Sequence, residues 1–178
     1  MKILTAYGTT EGQTGKIARF CADQLTGAGH SVELLNVADA AEVDVSGFGA
    51  AILAGSVHAG KYQAELSQFI AANLAALKPL PTLFLSVSLS AAGDDPQDWA
   101  GLESGLAAFT QDTGWTPGRT EHVAGALRFT EYDFFRYWAM RWIAAQKDET
   151  VDPHKDKEYT DWDKLSAVLH DWSGGLKT

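Results

Sequence analysis

Cysteine, methionine and proline are scarce in this chain of 178 residues, which contains one, two and five of them respectively. The single cysteine, Cys21, excludes an internal disulfide and any metal site built from several cysteines. The five histidines (His30, His58, His122, His154 and His170) show none of the paired spacings of zinc sites. We therefore predict no bound metal.

Positively charged residues are also few. The chain has 14 Lys and Arg against 23 Asp and Glu, which gives a net charge of −9. Proteins that bind nucleic acids obtain much of their affinity from Lys and Arg on phosphates, so we predict no nucleic-acid partner. No apolar run approaches the roughly 20 residues that a membrane-spanning helix needs. Residues 1–6 are too short for a signal peptide. We expect a cytoplasmic protein.

What the chain does contain is a regular alternation of short apolar segments and longer helical patterns. The predicted strands are 2–6, 31–36, 50–54, 82–87 and 122–127, and the predicted helices are 14–28, 62–77, 99–113, 132–146 and 161–172. Helical crossovers of this length connect parallel strands. We predict one domain, residues 1–178, with a three-layer α/β fold and a five-stranded parallel sheet.

The loop after the first predicted strand, residues 7–14, is rich in Gly and Thr, lacks Lys and Arg, and runs directly into a helix. Backbone N–H groups and hydroxyls at the positive end of a helix dipole suit a terminal phosphate. The alternative is a helix start capped by Thr that binds nothing. The predicted phosphate-binding residues are Thr9, Thr10, Glu11 (through its backbone amide), Gly12, Gln13 and Thr14.

Two other phosphate-binding motifs are absent. In a P-loop, Gly-Lys is followed by Ser or Thr, whereas Gly15 and Lys16 are followed here by Ile17. The dinucleotide fingerprint Gly-x-Gly-x-x-Gly is missing, since Gly8 and Gly12 are four residues apart. Neither a nucleoside triphosphate nor NAD is favoured.

Residues 9–14 resemble the phosphate loop of flavodoxins, which holds FMN without cationic side chains. Residues 55–62 and 84–89 resemble the loops beside the flavin ring in the bacterial menaquinone-dependent protoporphyrinogen oxidases. Residues 124–129 and 158–162 extend the same likeness. The resemblance implies a flavodoxin-like fold of strand order 2-1-3-4-5 with FMN as cofactor.

The same resemblance implies which residues border the flavin ring: Ser56, Val57, His58, Ser86, Val87, Ser88 and Leu89. The catalytic group is then FMN itself. His58 is the one histidine in a predicted cofactor loop, where it either contacts the ring or is simply solvated.

The implied activity is that of a quinone-linked oxidoreductase of haem biosynthesis, in which FMN accepts hydride at N5 from a porphyrinogen and passes electrons to menaquinone. One alternative is an electron-carrier flavodoxin, whose acidic face docks basic redox proteins. Asp94, Asp95 and Asp98, after the fourth predicted strand, suit that role. A third alternative, a receiver-like signalling module, needs acidic residues at the ends of strands one and three, which read Ala6-Tyr7 and Ala54-Gly55.

Residues 132–143 contain six aromatic side chains in twelve positions. A helix packed against the sheet explains this composition. The alternative is a surface that contacts a quinone or the inner face of the cell membrane, where Trp and Tyr are favoured.

Overall fold

The computed structural model describes residues 1–39, 43–127 and 156–176 of the chain. The strands are β1 (Lys2–Gly8), β2 (Ser31–Asn36), β3 (Ala50–Ser56), β4 (Thr82–Ser88), β5 (Arg119–Ala124), β6 (Ala126–Leu127) and β7 (Lys157–Glu158). The helices are α1 (Gln13–Gly27), α2 (Ala64–Ala72), α3 (Leu74–Leu77), α4 (Pro96–Thr113) and α5 (Trp162–Gly174), with 3₁₀ turns at Val45–Gly47 and Ser90–Ala92.

The first five strands form one parallel sheet in the order β2-β1-β3-β4-β5, which confirms the predicted fold. Every residue of β4 is buried, and β3 is buried except at its last residue. Strands covered on both faces need mostly apolar side chains at consecutive positions, as in β3. The polar residues of β4, Thr82, Ser86 and Ser88, are small and buried.

Helices cover both faces of the sheet and give it three layers. On one face α1 and α5 pack against the strands through residues such as Ile17, Leu25 and Trp172. On the other face α2, α3 and α4 pack through residues such as Leu66 and Phe109. The two apolar clusters share the sheet between them, so the alternating side chains of each strand belong to one cluster or the other.

Two predicted helices differ from the structure. The helix predicted over 62–77 is interrupted at Asn73, whose side-chain amide donates to the Phe69 carbonyl at 2.9 Å. The amide shares this carbonyl with the Asn73 N–H, which donates to it at 3.1 Å. Side-chain bonds of this kind make Asn unfavourable inside a helix. The helix predicted from residue 99 begins earlier, at Pro96, because Asp95 caps it and Pro suits the first helical position.

The bounds of the fifth predicted strand, 122–127, were wrong. The sheet strand is Arg119–Ala124, and Ala126–Leu127 instead pairs antiparallel with Lys157–Glu158. Gly125 joins the two, donating its N–H to the Ser88 carbonyl at 2.9 Å and accepting from the Tyr159 N–H at 3.0 Å. The predicted helix 132–146 and the aromatic segment 132–143 lie outside the described residues.

Within the described parts of the chain, no helix is both long enough and apolar enough to cross a membrane.

Replacing Gly55 with Ala should destabilise the fold by about 1–3 kcal/mol, since overpacking a core has this cost. A Cβ at this position would lie 2.6 Å from Leu66 Cδ2 and 3.0 Å from Tyr62 Cδ1. Leu66 is fully buried, so a movement of its side chain would disturb packed neighbours. The urea-unfolding free energy measures the effect.

The matched control is Gly27→Ala on α1, where a Cβ would meet nothing within 4 Å. This change should leave stability unaltered or raise it by up to about 1 kcal/mol, because Ala has less conformational entropy to lose than Gly. Equal effects of the two changes would contradict the packing argument.

Candidate functional site

A cleft of about 360 Å³ opens at the carboxyl ends of β1, β3 and β4. In open parallel sheets ligands bind at this edge, where the strand order reverses. The residues that line the cleft are Thr9, Glu11, Gln13, Thr14, Ser56, Val57, His58, Ala59, Gly60, Val87, Ser88, Leu89, Ser90, Gln97, Asp98, Gly101, Leu102, Gly125 and Ala126.

A larger groove, of about 650 Å³, runs between α1 and α5 and is lined by residues such as Gln24 and His170. It lies against the helix faces and contains none of the residues from the strand ends. The smaller cleft is the candidate site, because it gathers the loops after three central strands.

The first of these loops leaves the start of α1 open. Gly12 has a φ of +87°, a left-handed conformation that glycine adopts without Cβ strain. Its N–H donates to Thr9 Oγ1 at 2.9 Å, and no side chain caps the helix. The N–H groups of residues 13–15 have no acceptor within the helix, whose first bond runs from the Lys16 N–H to the Gly12 carbonyl at 3.0 Å. These groups and the helix dipole favour an anion.

Lys16, the basic residue on the first turn of α1, is paired with the C-terminal part of the chain. Its Nζ lies 2.6 Å from Glu158 Oε2 and 5.1 Å from the centre of the Trp162 ring. Burial raises the pKa of Glu158, but hydrogen bonds from Lys16, Trp162 and Gln13 outweigh it and hold that pKa below its usual value. The turn therefore offers an anion N–H groups and a dipole rather than a cationic side chain.

The second loop is a tight turn. His58 donates its N–H to the Lys61 carbonyl at 2.9 Å, and Lys61 donates back to His58 at 3.0 Å. Between them Ala59 and Gly60 both have positive φ, +49° and +76°, as in the two-residue turns of β-hairpins. Gly105 of α4 lets this turn approach closely, since a Cβ there would lie 3.0 Å from the Gly60 carbonyl oxygen. The strained Ala59 is typical of loops that position a ligand.

His58, in the second loop, faces Glu11 of the first loop. Its Nε2 lies 3.2 Å from Ser56 Oγ, and its Nδ1 lies 3.8 Å from Glu11 Oε1. Burial lowers the pKa of His58, so the neutral imidazole is favoured despite the nearby carboxylate.

Gln63, the residue before α2, connects the same two loops. Its Nε2 donates to Thr10 Oγ1 at 3.1 Å and also to Ser56 Oγ, while its Oε1 accepts the Ser56 N–H at 3.2 Å. A Cβ on Gly8 would lie 3.1 Å from Oε1, so the glycine at the end of β1 makes space for this amide.

The third loop and the start of α4 close the cleft on the remaining side. Asp95 Oδ1 accepts the Gln97 N–H at 2.8 Å and caps the helix. Asp98, one turn further on, lines the cleft. Burial, and secondly the charge of Asp95, raise the pKa of Asp98. Asp94 lies outside the cleft lining and is exposed.

The structure brings together all but three of the residues predicted to hold the cofactor; Thr10, Gly12 and Ser86 do not line the cleft. Thr10 faces Gln63, and Gly12 shapes the turn. Ser86 is fully buried with its Oγ 2.8 Å from the Tyr62 hydroxyl, because this position of β4 faces α2.

The sequence prediction missed the lining residues Ala59, Gly60, Ser90, Gln97, Asp98, Gly101, Leu102, Gly125 and Ala126. The pair Asp95-Pro96 is a helix-start signal and places the first turn of α4 at the carboxyl edge of the sheet. Starting that helix at residue 99 concealed the contribution of Gln97 and Asp98.

A model of the flavodoxin domain family matches residues 4–154. The chain belongs to this family. Membership implies a flavin cofactor, and the cleft at the strand ends is where the fold would hold it.

Two curated relatives match most of this flavodoxin-domain chain. Protoporphyrinogen IX dehydrogenase (quinone) of Escherichia coli K12 is 27% identical over 169 residues, which cover 93% of this chain and 91% of the relative. The protein of the same name from Leishmania major is 25% identical over 173 residues, covering 97% and 74%. These matches support a flavodoxin-like oxidoreductase.

Among solved structures, oxidised flavodoxin 1 from Bacillus cereus has a TM-score of 0.61 at 13% identity and covers 99% of this chain and 100% of its own. At that identity the likeness concerns the fold, and it agrees with the observed strand order.

Replacing His58 with Gln should reduce the loss of stability on acidification. Burial holds the pKa of His58 below its unfolded value, so the unfolded chain binds the proton first as the pH falls. Through this residue the wild type loses unfolding free energy below about pH 6.5. Urea unfolding at about pH 7.5 and about pH 5.5 measures the difference.

The control is His170→Gln, on the exposed face of α5. On acidification this variant should lose as much unfolding free energy as the wild type. A His58→Gln variant that also loses as much as the wild type would contradict the argument from burial.

Proposed function

We propose that the cleft binds FMN and that the protein transfers electrons from a porphyrinogen to a quinone. The observation that carries this proposal is the juxtaposition of an uncapped helix start and an apolar wall in one cleft. The helix start suits the phosphate of FMN, and the apolar side chains of Val57, Val87, Leu89 and Leu102 suit the flavin ring.

The residues fit one phosphate better than a dinucleotide. The open N–H groups belong to a single helix turn, with the Thr9 hydroxyl already bonded to the Gly12 N–H. Thr14 lines the cleft and is almost fully buried. We infer that its hydroxyl joins the N–H groups of the helix start in holding the phosphate.

FMN, when bound, supplies the hydride acceptance and electron release of the reaction. The chain binds and orients it, and the walls from the second and third loops exclude water from its ring. His58 lies on that wall, and burial favours its neutral imidazole. Ser88 is tied to the chain backbone, since its Oγ accepts the Ala91 N–H at 3.1 Å.

The relatives named protoporphyrinogen IX dehydrogenase (quinone) support the choice of porphyrinogen and quinone. Contact with a quinone or a membrane through residues 132–143 stays a prediction, because that segment lies outside the described residues.

The charge of the cleft favours a second candidate, an electron-carrier flavodoxin. Among the described residues that line the cleft, Glu11 and Asp98 are acidic and none is Lys or Arg. A porphyrinogen carries propionates, which this field repels, whereas a basic redox protein is attracted by it.

Replacing Thr14 with Ala should weaken FMN binding by about ten- to a hundredfold, since hydrogen bonds to a charged group contribute about 1.5–3 kcal/mol. Riboflavin, which lacks the phosphate, should bind the variant and the wild type alike. Fluorescence titration of the apoprotein with FMN, riboflavin and FAD measures each affinity.

The matched control is Thr26→Ala at the far end of α1, where the hydroxyl donates to the Ala22 carbonyl at 2.8 Å. It should leave all affinities unchanged. Equal affinity of the wild type for FMN and riboflavin would mean that the α1 turn is not a phosphate site.

Replacing Asp98 with Asn distinguishes the two candidate functions. An oxidase should turn over a porphyrinogen faster at low salt after the change, because a repelling charge is gone. The gain should vanish in 1 M salt, where the Debye length is about 3 Å instead of about 10 Å at 0.1 M. Steady-state rates with a menaquinone analogue measure this.

An electron carrier should instead exchange electrons more slowly with a basic redox protein after the same change. The control is Asp112→Asn, an equal loss of charge near the other end of α4, where the side chain is exposed. Two results together would favour the carrier over the oxidase. Neither the wild type nor the Asp98→Asn variant would turn over porphyrinogen, and the variant would exchange electrons with the basic redox protein more slowly.

A further inference from the structure

A chain of hydrogen bonds leads from the start of α2 to the wall of the cleft. It begins at the Gln63 amide, passes through the Ser56 hydroxyl and ends at the His58 imidazole. Each link has a donor and an acceptor, and the chemistry of the first link determines the direction of the others.

The orientation of the Gln63 amide is set by the backbone. The Ser56 N–H can only donate, and its acceptor is Gln63 Oε1 at 3.2 Å. The nitrogen of the amide must therefore face the two hydroxyls on its other side. Gln63 Nε2 donates one hydrogen to Thr10 Oγ1 at 3.1 Å and the other to Ser56 Oγ. A flipped amide would set its NH₂ group against the Ser56 N–H.

The Ser56 hydroxyl then has its own hydrogen left to donate. Among the described residues its remaining partner is His58 Nε2, at 3.2 Å. If His58 Nε2 also carried a hydrogen, Ser56 Oγ would accept twice and its O–H would have no acceptor there. The economical arrangement has Ser56 donating to an unprotonated Nε2, so the proton of the neutral imidazole lies on Nδ1.

We propose that Gln63 and Ser56 are positioning residues that hold His58 as the Nδ1–H tautomer, so that the imidazole presents an N–H donor on the cleft wall. The Nδ1 atom lies on the side of Glu11, 3.8 Å from Oε1, and both residues line the cleft. The tautomer follows from the hydrogen bonds of Gln63 and Ser56. Its use rests on the proposed function: an N–H donor here stabilises an oxygen or nitrogen of the flavin or quinone that gains charge on reduction.

The tautomer of His58 can be read directly by long-range ¹H–¹⁵N NMR of histidine-labelled protein, which separates protonated from unprotonated ring nitrogens. The signals are assigned by their loss in His58→Gln. In the wild type at neutral pH we expect a protonated Nδ1 and an unprotonated Nε2. A wild-type His58 with its proton on Nε2 would overturn the proposal.

Replacing Gln63 with Glu should reverse the chain of donors. A carboxylate still accepts the Ser56 N–H, but it has no hydrogen to give, so the Ser56 hydroxyl donates to it instead of to His58. The imidazole should then donate from Nε2 to Ser56 Oγ, and the proton should move from Nδ1 to Nε2. An unchanged Nδ1–H tautomer in this variant would also overturn the proposal.

The matched control is Gln97→Glu, which adds the same charge to the cleft lining without touching the chain of bonds. It should leave the His58 tautomer as it is. His122, whose Nε2 lies 3.2 Å from Glu103 Oε1, serves as an internal reference that no variant should alter.

Should Gln63→Glu fail to fold, the pair Ser56→Ala and Ser56→Thr makes the same test. The first should release the imidazole to a mixture of tautomers, and the second, which keeps a hydroxyl, should retain Nδ1–H. Identical spectra of the two variants would contradict the role of the hydroxyl. Added FMN that leaves every His58 signal unmoved would count against the proposed function and the use of the donor, while the tautomer assignment stands on the other spectra.

Discussion

The parallel pairing of β1, β3 and β4 is the constraint on which the rest of the molecule depends. Gly8, Gly55 and Ser86 lie in one row across these strands. The three loops therefore leave the sheet at the same level, and the ladder continues one step further, with the Val57 N–H donating to the Val87 carbonyl at 2.8 Å. Glycine at two positions of the row lets the start of α2 cross close to the sheet, which is how Gln63 reaches both loops.

Electrostatic interactions in this cleft act over two different distances. The anion site at α1 works at hydrogen-bonding distance through N–H groups, while Lys16 is kept by Glu158 on the outside. The net charge of −9 and the carboxylate of Asp98 act over longer distances, on whatever approaches the opening. A bound phosphate and an incoming partner are thus governed by different parts of the chain, and salt affects mainly the second.

The fold could be predicted from the sequence because the central strands are largely apolar and the helices follow the usual period. The loop at 9–14 was also visible, since Gly and Thr before a helix have a local signature. Ser86 was not predictable in the same way, because its burial against Tyr62 depends on which face of β4 meets α2. Contacts between Gln13 and residues 158–160 join positions roughly 145 apart in the chain, and no local pattern encodes them.

The small antiparallel ladder between Ala126–Leu127 and Lys157–Glu158 also bears on how such a chain can change in length. The two strands hold the points at which the chain enters and leaves the intervening segment next to each other. The number of residues between these points can therefore change without moving either strand. A protein engineer could use this two-stranded base to graft a peptide of another length.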